Sequence, residues 1–276
     1  MSSPAYQAQA VGDLLWAINS PSLVEGSNVA QAEPISPDDI DGEHLVAFLA
    51  EQPDVHRVGR YFEQLVNYWL SHVRKVEVVA NGMHLKDGKM IVGEIDFLYR
   101  NDAETLVHCE ASVKFFLCAP GAEPSEYPGL NARDNFEAKV TKLFDKQLSA
   151  SEGRIDDIGA REGFMRGMIF YRDGYAPGEQ PDRLAADHQR GHWCYANELE
   201  SLEAVGDQFA IVTKPHWLAP QVDADTMTFG ELTEELLAHF DTNGGGAGHP
   251  LMISTRSSSD SETETTRSVV VPANWP

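Results

Sequence analysis

Lysine and arginine are absent from the first 55 residues of this 276-residue chain, and the 21 present elsewhere face 43 aspartates and glutamates, for a formal net charge of −22. Such a chain repels phosphate polymers on average, which argues against a protein that coats nucleic acid without selectivity. Cysteine is scarce as well. Cys109, Cys118 and Cys194 form no C-x-x-C pair or other zinc spacing, and an odd count does not suit a disulfide framework, so they read as buried thiols. No apolar run approaches the roughly 20 residues that cross a bilayer, and no membrane partner is expected. The opening MSSPAYQAQAVGDLLWAINS has no basic residues ahead of its apolar ones and does not read as a secretory signal; the expected location is cytoplasmic. G-x-x-x-x-G-K-[ST], G-x-S-x-G and G-x-G-x-x-G are all missing, which leaves nucleotide-triphosphate and nicotinamide chemistry without support. The histidines show no H-E-x-x-H or paired-ligand spacing, and His56, His72, His84 and His108 read as structural or exposed.

What remains is a chain with 42% hydrophobic residues, enough for a sizeable core in one domain or in one domain with an appended lobe. Its acidity is peripheral. Residues 56–172 carry sixteen bases against seventeen acids, whereas the flanks hold nearly all of the excess. The charge shift divides the chain into an acidic helical segment over 1–55, a nearly neutral core over 56–172 and a C-terminal extension over 173–276. Acidic flanks of this kind suit salt adaptation, DNA mimicry or a surface for a protein partner.

Periodicity places the elements. Val11, Leu14, Leu15 and Ile18 recur at helical spacing before Pro21, and Asp41 to Glu51 reads as a short helix. Val58, Phe62, Leu65, Val66 and Trp69 form an apolar stripe with Glu63 and Asn67 beside it. Strands are predicted over Val76 to Leu85, Met90 to Tyr99 and Thr105 to Leu117, the first two joined by the tight turn Asp87-Gly88. A helix over Asn131 to Leu148 comes next, with Lys139, Lys142, Lys146 and Gln147 on its polar face, then a strand over Phe164 to Tyr171 beside the third. Further on, Trp193 to Tyr195, Phe209 to Val212 and Ser268 to Val271 read as short strands and Thr226 to Phe240 as a helix. Asn243 to Gly248 and Ser257 to Thr266 are low in complexity and read as mobile.

The charges on the meander carry the chemistry. Strand side chains alternate faces, so Glu94 and Asp96 share one face of the second strand, and Glu110, Ser112 and Lys114 share one face of the third. Charges on otherwise apolar strands call for a metal, a partner or a substrate. Carboxylates with a lysine suit metal-assisted phosphodiester hydrolysis, because Mg²⁺ takes oxygen ligands, keeps several waters and needs only one or two carboxylates. The alternative is a cross-strand salt-bridge ladder on a solvated face. Glu63 is either a member of the site or a surface acid paired with Arg60 or Asn67. Glu94 is a ligand or a residue supporting Lys114 or a helix end.

Helix, three-strand meander, helix and strand, with Gly93-Glu94-Ile95-Asp96 followed fourteen residues after Asp96 by Glu110, resemble the PD-(D/E)XK phosphodiesterase superfamily over residues 56–172. The chain also resembles a bacterial family of unknown function placed in that superfamily. The shared phrases are R-x-G-R-Y-F-E at Arg57, G-E-I-D-F at Gly93, T-K-P-H-W-L-x-P at Thr213 and V-V-V-P-x-x-W-P at Val269. The resemblance implies an α/β fold with a restriction-endonuclease-like core and additional α+β elements C-terminal to it. It implies catalysis by Asp96, Glu110 and Lys114, metal ligation by Asp96, Glu110 and Glu63, and supporting or phosphate contacts from Glu94, Ser112 and Gln147. Its cofactor is Mg²⁺ or Mn²⁺, and its substrate is nucleic acid, DNA ahead of RNA. The superfamily lysine stands two residues after the glutamate, where this chain has Ser112; Lys114 lies about 6.6 Å further along the strand at ~3.3 Å per residue. Two functions are open: a Mg²⁺-dependent nuclease, with a repair or branched-DNA role in view, or a non-catalytic nuclease-fold module that binds a partner.

Overall fold

Alternation of period two over residues 77–117 folds as a meander of β1 (Glu77–Asp87), β2 (Met90–Arg100) and β3 (Leu106–Leu117), each pair of neighbours antiparallel. The computed structural model describes residues 3–122, 125–131, 133–175, 179–222, 225–242, 248–257 and 260–275. The chain is mixed α/β, with eight strands among the described residues. It divides into two compact units, neither contiguous in sequence.

The first unit comprises Met1–Lys114, Glu137–Gly167 and Asp182–His188. Its helices begin where capping chemistry dictates. Ser3 accepts the Tyr6 N–H and Pro4 opens α1 (Pro4–Asn19); Asp41 accepts the His44 N–H at the start of α2 (Gly42–Ala50). In α3 (Val58–Tyr68), Phe62, Leu65 and Val66 are buried, and the helix continues as a π turn over Trp69–Val73. Phe62 and Trp69 stack on Phe164 of β4 (Ile158–Tyr171) at centroid distances of 6.1 and 5.8 Å. A fully buried Asp13 on α1 is held by Gln9 Nε2 at 3.2 Å and by the Tyr61 hydroxyl at 3.0 Å, which ties α1 to α3. Strand order in this unit is β1-β2-β3-β4, with β4 beside β3 as its apolar run suggests.

The second unit comprises Phe115–Phe136, Met168–Pro181 and Gln189–Pro276. Here the end of β4 pairs in parallel with β5 (Gln189–Tyr195), and β5 in parallel with β8 (Asp260–Val271). Antiparallel β7 (Leu251–Ser257) and β6 (Gln208–Val212) complete the order. The single turn α5 (Glu200–Glu203) precedes β6 in sequence, and α6 (Phe229–Thr242), between β6 and β7, buries Leu232, Leu236 and Phe240 with Phe209, Ile253 and Val270. A buried Arg267 donates to the carbonyls of Trp217, Leu218 and Ala219 at 2.6 to 2.9 Å, fixing the T-K-P-H-W-L-x-P segment.

Several elements differ from the periodicity, among them β4, which begins at Ile158, ahead of the expected Phe164. The helix expected from Asn131 begins at Phe136 as α4 (Phe136–Thr141), because Gly129 N–H bonds to Asp134 O and Phe136 N–H to Tyr127 O, which keeps the backbone at 127–129 and 134–135 out of a helix. It then widens to a π turn over Lys142–Gln147, closed by Leu148 N–H on Leu143 O at 3.0 Å. β7 carries no clear alternation in sequence, and its pairing partner is strand drawn from the low-complexity stretch: Thr255 faces Thr266, and Ser257 faces Asp260. Of Asn243 to Gly248, residues 243–247 lie outside the described residues.

β3 and β4 come close at Gly167, whose φ is 153° and where an added Cβ would lie 1.8 Å from the Lys114 carbonyl oxygen. Gly167→Ala should therefore destabilise the protein by about 2–3 kcal/mol, through backbone strain and steric overlap. Denaturant unfolding checks this, and a change within about 0.5 kcal/mol would contradict the close approach.

Candidate functional site

All the sequence-predicted site residues lie in the first unit, on β2, β3, α3 and the π turn after α4. The β2–β3 ladder runs from Arg100↔Leu106 to Phe97↔Cys109. Just beyond it, the Ala111 N–H donates to Asp96 Oδ2 at 3.0 Å, so a strand amide serves a side-chain carboxylate. Glu110 is only 2% exposed, while Asp96, Ser112 and Lys114 are partly buried.

Both Glu110 oxygens are engaged. Gln147 Nε2 donates to Oε2 at 2.6 Å, and His108 Nε2 meets Oε1 at 2.8 Å. Behind the imidazole, Nδ1 lies 2.9 Å from Ser151 Oγ, which accepts from Arg161 Nε at 2.9 Å. A neutral His108 with its proton on Nε2 satisfies the whole chain: Arg161 donates to Ser151, Ser151 to His108, and His108 to Glu110. Ion-carrying groups thus sit at both ends of a buried relay, and the carboxylate cannot rotate without breaking two hydrogen bonds.

Electrostatics bring the acids together. Burial pushes Asp96 up from 3.8 to about 8; Glu110 and Glu63, and to a lesser degree Glu94, press in the same direction against the Ala111 hydrogen bond. Glu63 is raised by burial, although Arg60 pairs with it at 2.6 Å and Lys114 also favours its ionised form. Arg60 reaches Glu94 at 3.9 Å. The Arg60 pairing considered for Glu63 is present, and Glu63 also lies within the field of Asp96 and Lys114. On the polar face expected after β3, Gln147 is placed on a site acid, while Lys142 and Lys146 are exposed.

Sequence reasoning passed over His108, Ser151 and Arg161. His108, read as structural or exposed, is fully buried against Glu110. The usable signal was alternation, since residues 108, 110, 112 and 114 share one strand face. Ser151 and Arg161 come from a loop and from β4, and nothing in their spacing marks them.

Among the described residues no group of three or more histidine, cysteine, aspartate or glutamate side chains is placed to hold a metal ion. The pair Asp96 and Glu110 fits a hard cation by its donors, which are all oxygen, and by its charge, since the crowding that raises Asp96 is what a dication relieves. A family model described as "Domain of unknown function (DUF1853)" matches residues 12–271. No curated protein and no solved structure matches.

Asp96 supplies a sign for pH dependence. Between its ordinary 3.8 and about 8 the folded chain holds a proton that the unfolded chain has released, so stability falls as pH rises through that interval. Asp96→Asn, which still accepts from Ala111, should flatten the slope of unfolding free energy between about pH 5 and 8. Equal slopes in wild type and variant, measured by urea titration across that range, would refute the shift.

Proposed function

The chain belongs to the DUF1853 family, and from the site in this member we propose that it is a Mg²⁺- or Mn²⁺-dependent phosphodiesterase acting on nucleic acid, built on a restriction-endonuclease-like core over residues 56–172. The observation that carries the reading is Asp96: a partly buried carboxylate pushed to about 8 by burial and by Glu110, Glu63 and Glu94, on a site still open to solvent. Buried like charges are costly, and a bound cation removes the cost.

In this reading Asp96 and Glu110 hold the ion, and Glu63, paired with Arg60 in this structure, turns toward it as a further oxygen donor when the ion binds. When bound, the ion neutralises phosphate charge and lowers the pKa of water. Gln147 and the His108 relay keep Glu110 in one orientation, which spares its ordering on substrate binding. Lys114, close enough to favour ionised Glu63, places its ammonium toward the scissile phosphate, the role of the superfamily lysine two residues earlier. The acidic flanks limit unselective attraction to DNA, which suits recognition of a particular structure over long binding tracks.

A second reading, a non-catalytic module with this fold, is favoured by one observation: both Glu110 oxygens already have protein partners. Calorimetry with Mn²⁺ separates the two. Wild type should bind at least about tenfold more tightly than Asp96→Ala or Glu110→Ala, and should cleave branched or single-stranded DNA, while Lys114→Ala loses about 100-fold in rate with metal affinity retained. Metal affinity equal across these proteins, with no cleavage, would leave only the binding module.

A further inference from the structure

Arg166 lies on β4, two residues from Phe164 and on the strand face opposite to Arg161, so it takes no part in the relay to Glu110. It is 3% exposed, and its Nε and Nη1 are buried without any hydrogen-bond partner. Its guanidinium carbon sits 4.0 Å from the centre of the Phe164 ring, which fixes the fork's position without satisfying its donors. Burial lowers its pKa to about 10, with Cys109 opposing, and the group stays cationic at neutral pH. Arg267, equally buried, spends its donors on three carbonyls. An arginine without such partners is costly unless something else answers it.

Arg166 also lines a cavity of about 460 Å³ whose lining residues all belong to the first unit. One wall is the loop after α1, pinned to β4 by Leu23 N–H on Met165 O at 2.9 Å. Other polar lining groups are already committed. Asn19 exchanges two hydrogen bonds with the Ile35 backbone, and Ser22 Oγ donates to Met165 O and accepts from Val24 N–H. Two exposed carboxylates, Glu25 and Asp187, also line the cavity.

We propose that this cavity binds a small zwitterion of the α-amino-acid class, its carboxylate on the Arg166 fork and its ammonium toward Glu25 and Asp187. A guanidinium matches a planar carboxylate through two parallel N–H donors, which answers the buried charge directly. The two lining acids oppose a multiply charged phosphate and favour a ligand whose far end is positive. The volume of about 460 Å³ admits a molecule of that size, and the polar groups rather than the space choose the ligand.

Thermal shift and calorimetry on the full chain test the assignment, with free amino acids, acetate and inorganic phosphate as probes. At least one amino acid should bind saturably and more tightly than acetate or phosphate. Arg166→Met should weaken that binding at least about tenfold, and Glu25→Gln combined with Asp187→Asn should reduce the amino acid's advantage over acetate. Should Arg166→Met fail to fold, Ala186→Phe, an exposed change in the cavity lining, should block binding while leaving the melting temperature of the free protein in place. The proposal is overturned by no amino acid binding at about 10 mM, by phosphate binding more tightly than every carboxylate, or by affinity unchanged in Arg166→Met or Ala186→Phe.

Discussion

A charge taken out of water has to be answered by the protein, and that requirement shapes both units of this chain. Asp13 is answered by Gln9 and Tyr61, and in meeting it they tie α1 to α3. Glu110 is answered by Gln147 and His108, and Arg267 by three carbonyls of one loop. In each case at least one answering group comes from a distant part of the sequence, so satisfying the charge also fixes the packing. Asp96 and Arg166 are the exceptions. The first has one backbone amide against three neighbouring acids, and the second has an aromatic ring below it but no acceptor for two of its nitrogens. Charges left partly answered are where a ligand has most to gain.

The meander was legible because strands announce themselves by alternation, and β1 to β3 begin and end within about two residues of the pattern. The acids of the site were legible for the same reason: Glu94, Asp96 and Glu110 interrupt apolar alternation. His108 obeys the same rule, yet an imidazole amid apolar residues gives no sign of what it will touch. Its partner Ser151 stands in a loop 43 residues away, a juxtaposition made by tertiary folding alone. β7 and the first half of β8 were hidden because threonine and serine suit a loop as well as a strand, and the partner strand decides between them.

Two helices carry π turns, Trp69–Val73 after α3 and Lys142–Gln147 after α4. A π turn adds a residue to the helical circuit and rotates the side chains at its C-terminal end, at some expense in hydrogen-bond geometry. Here the outcome is local and visible. Trp69, opening the first turn, stacks on Phe164, and Gln147, closing the second, reaches Glu110. An ideal 3.6-residue wheel drawn from the sequence places Gln147 with the lysines of the polar face and gives no reason to separate it from them. The structure separates it, leaving Lys142 and Lys146 in solvent.

Neither unit is a continuous piece of chain, and the first is complete only when Asp182–His188 has joined residues that precede Gly167. On a ribosome this sets an order of events. The meander and its helices can collapse early, since their contacts are near in sequence, but the last strip of that unit arrives after the chain has already begun the other one. Between those moments the Leu23 carbonyl that later accepts from Ala185 lacks that amide. The nascent protein therefore passes through a stage in which that backbone group lacks its final partner, while the acidic residues 1–55, already made, repel neighbouring copies.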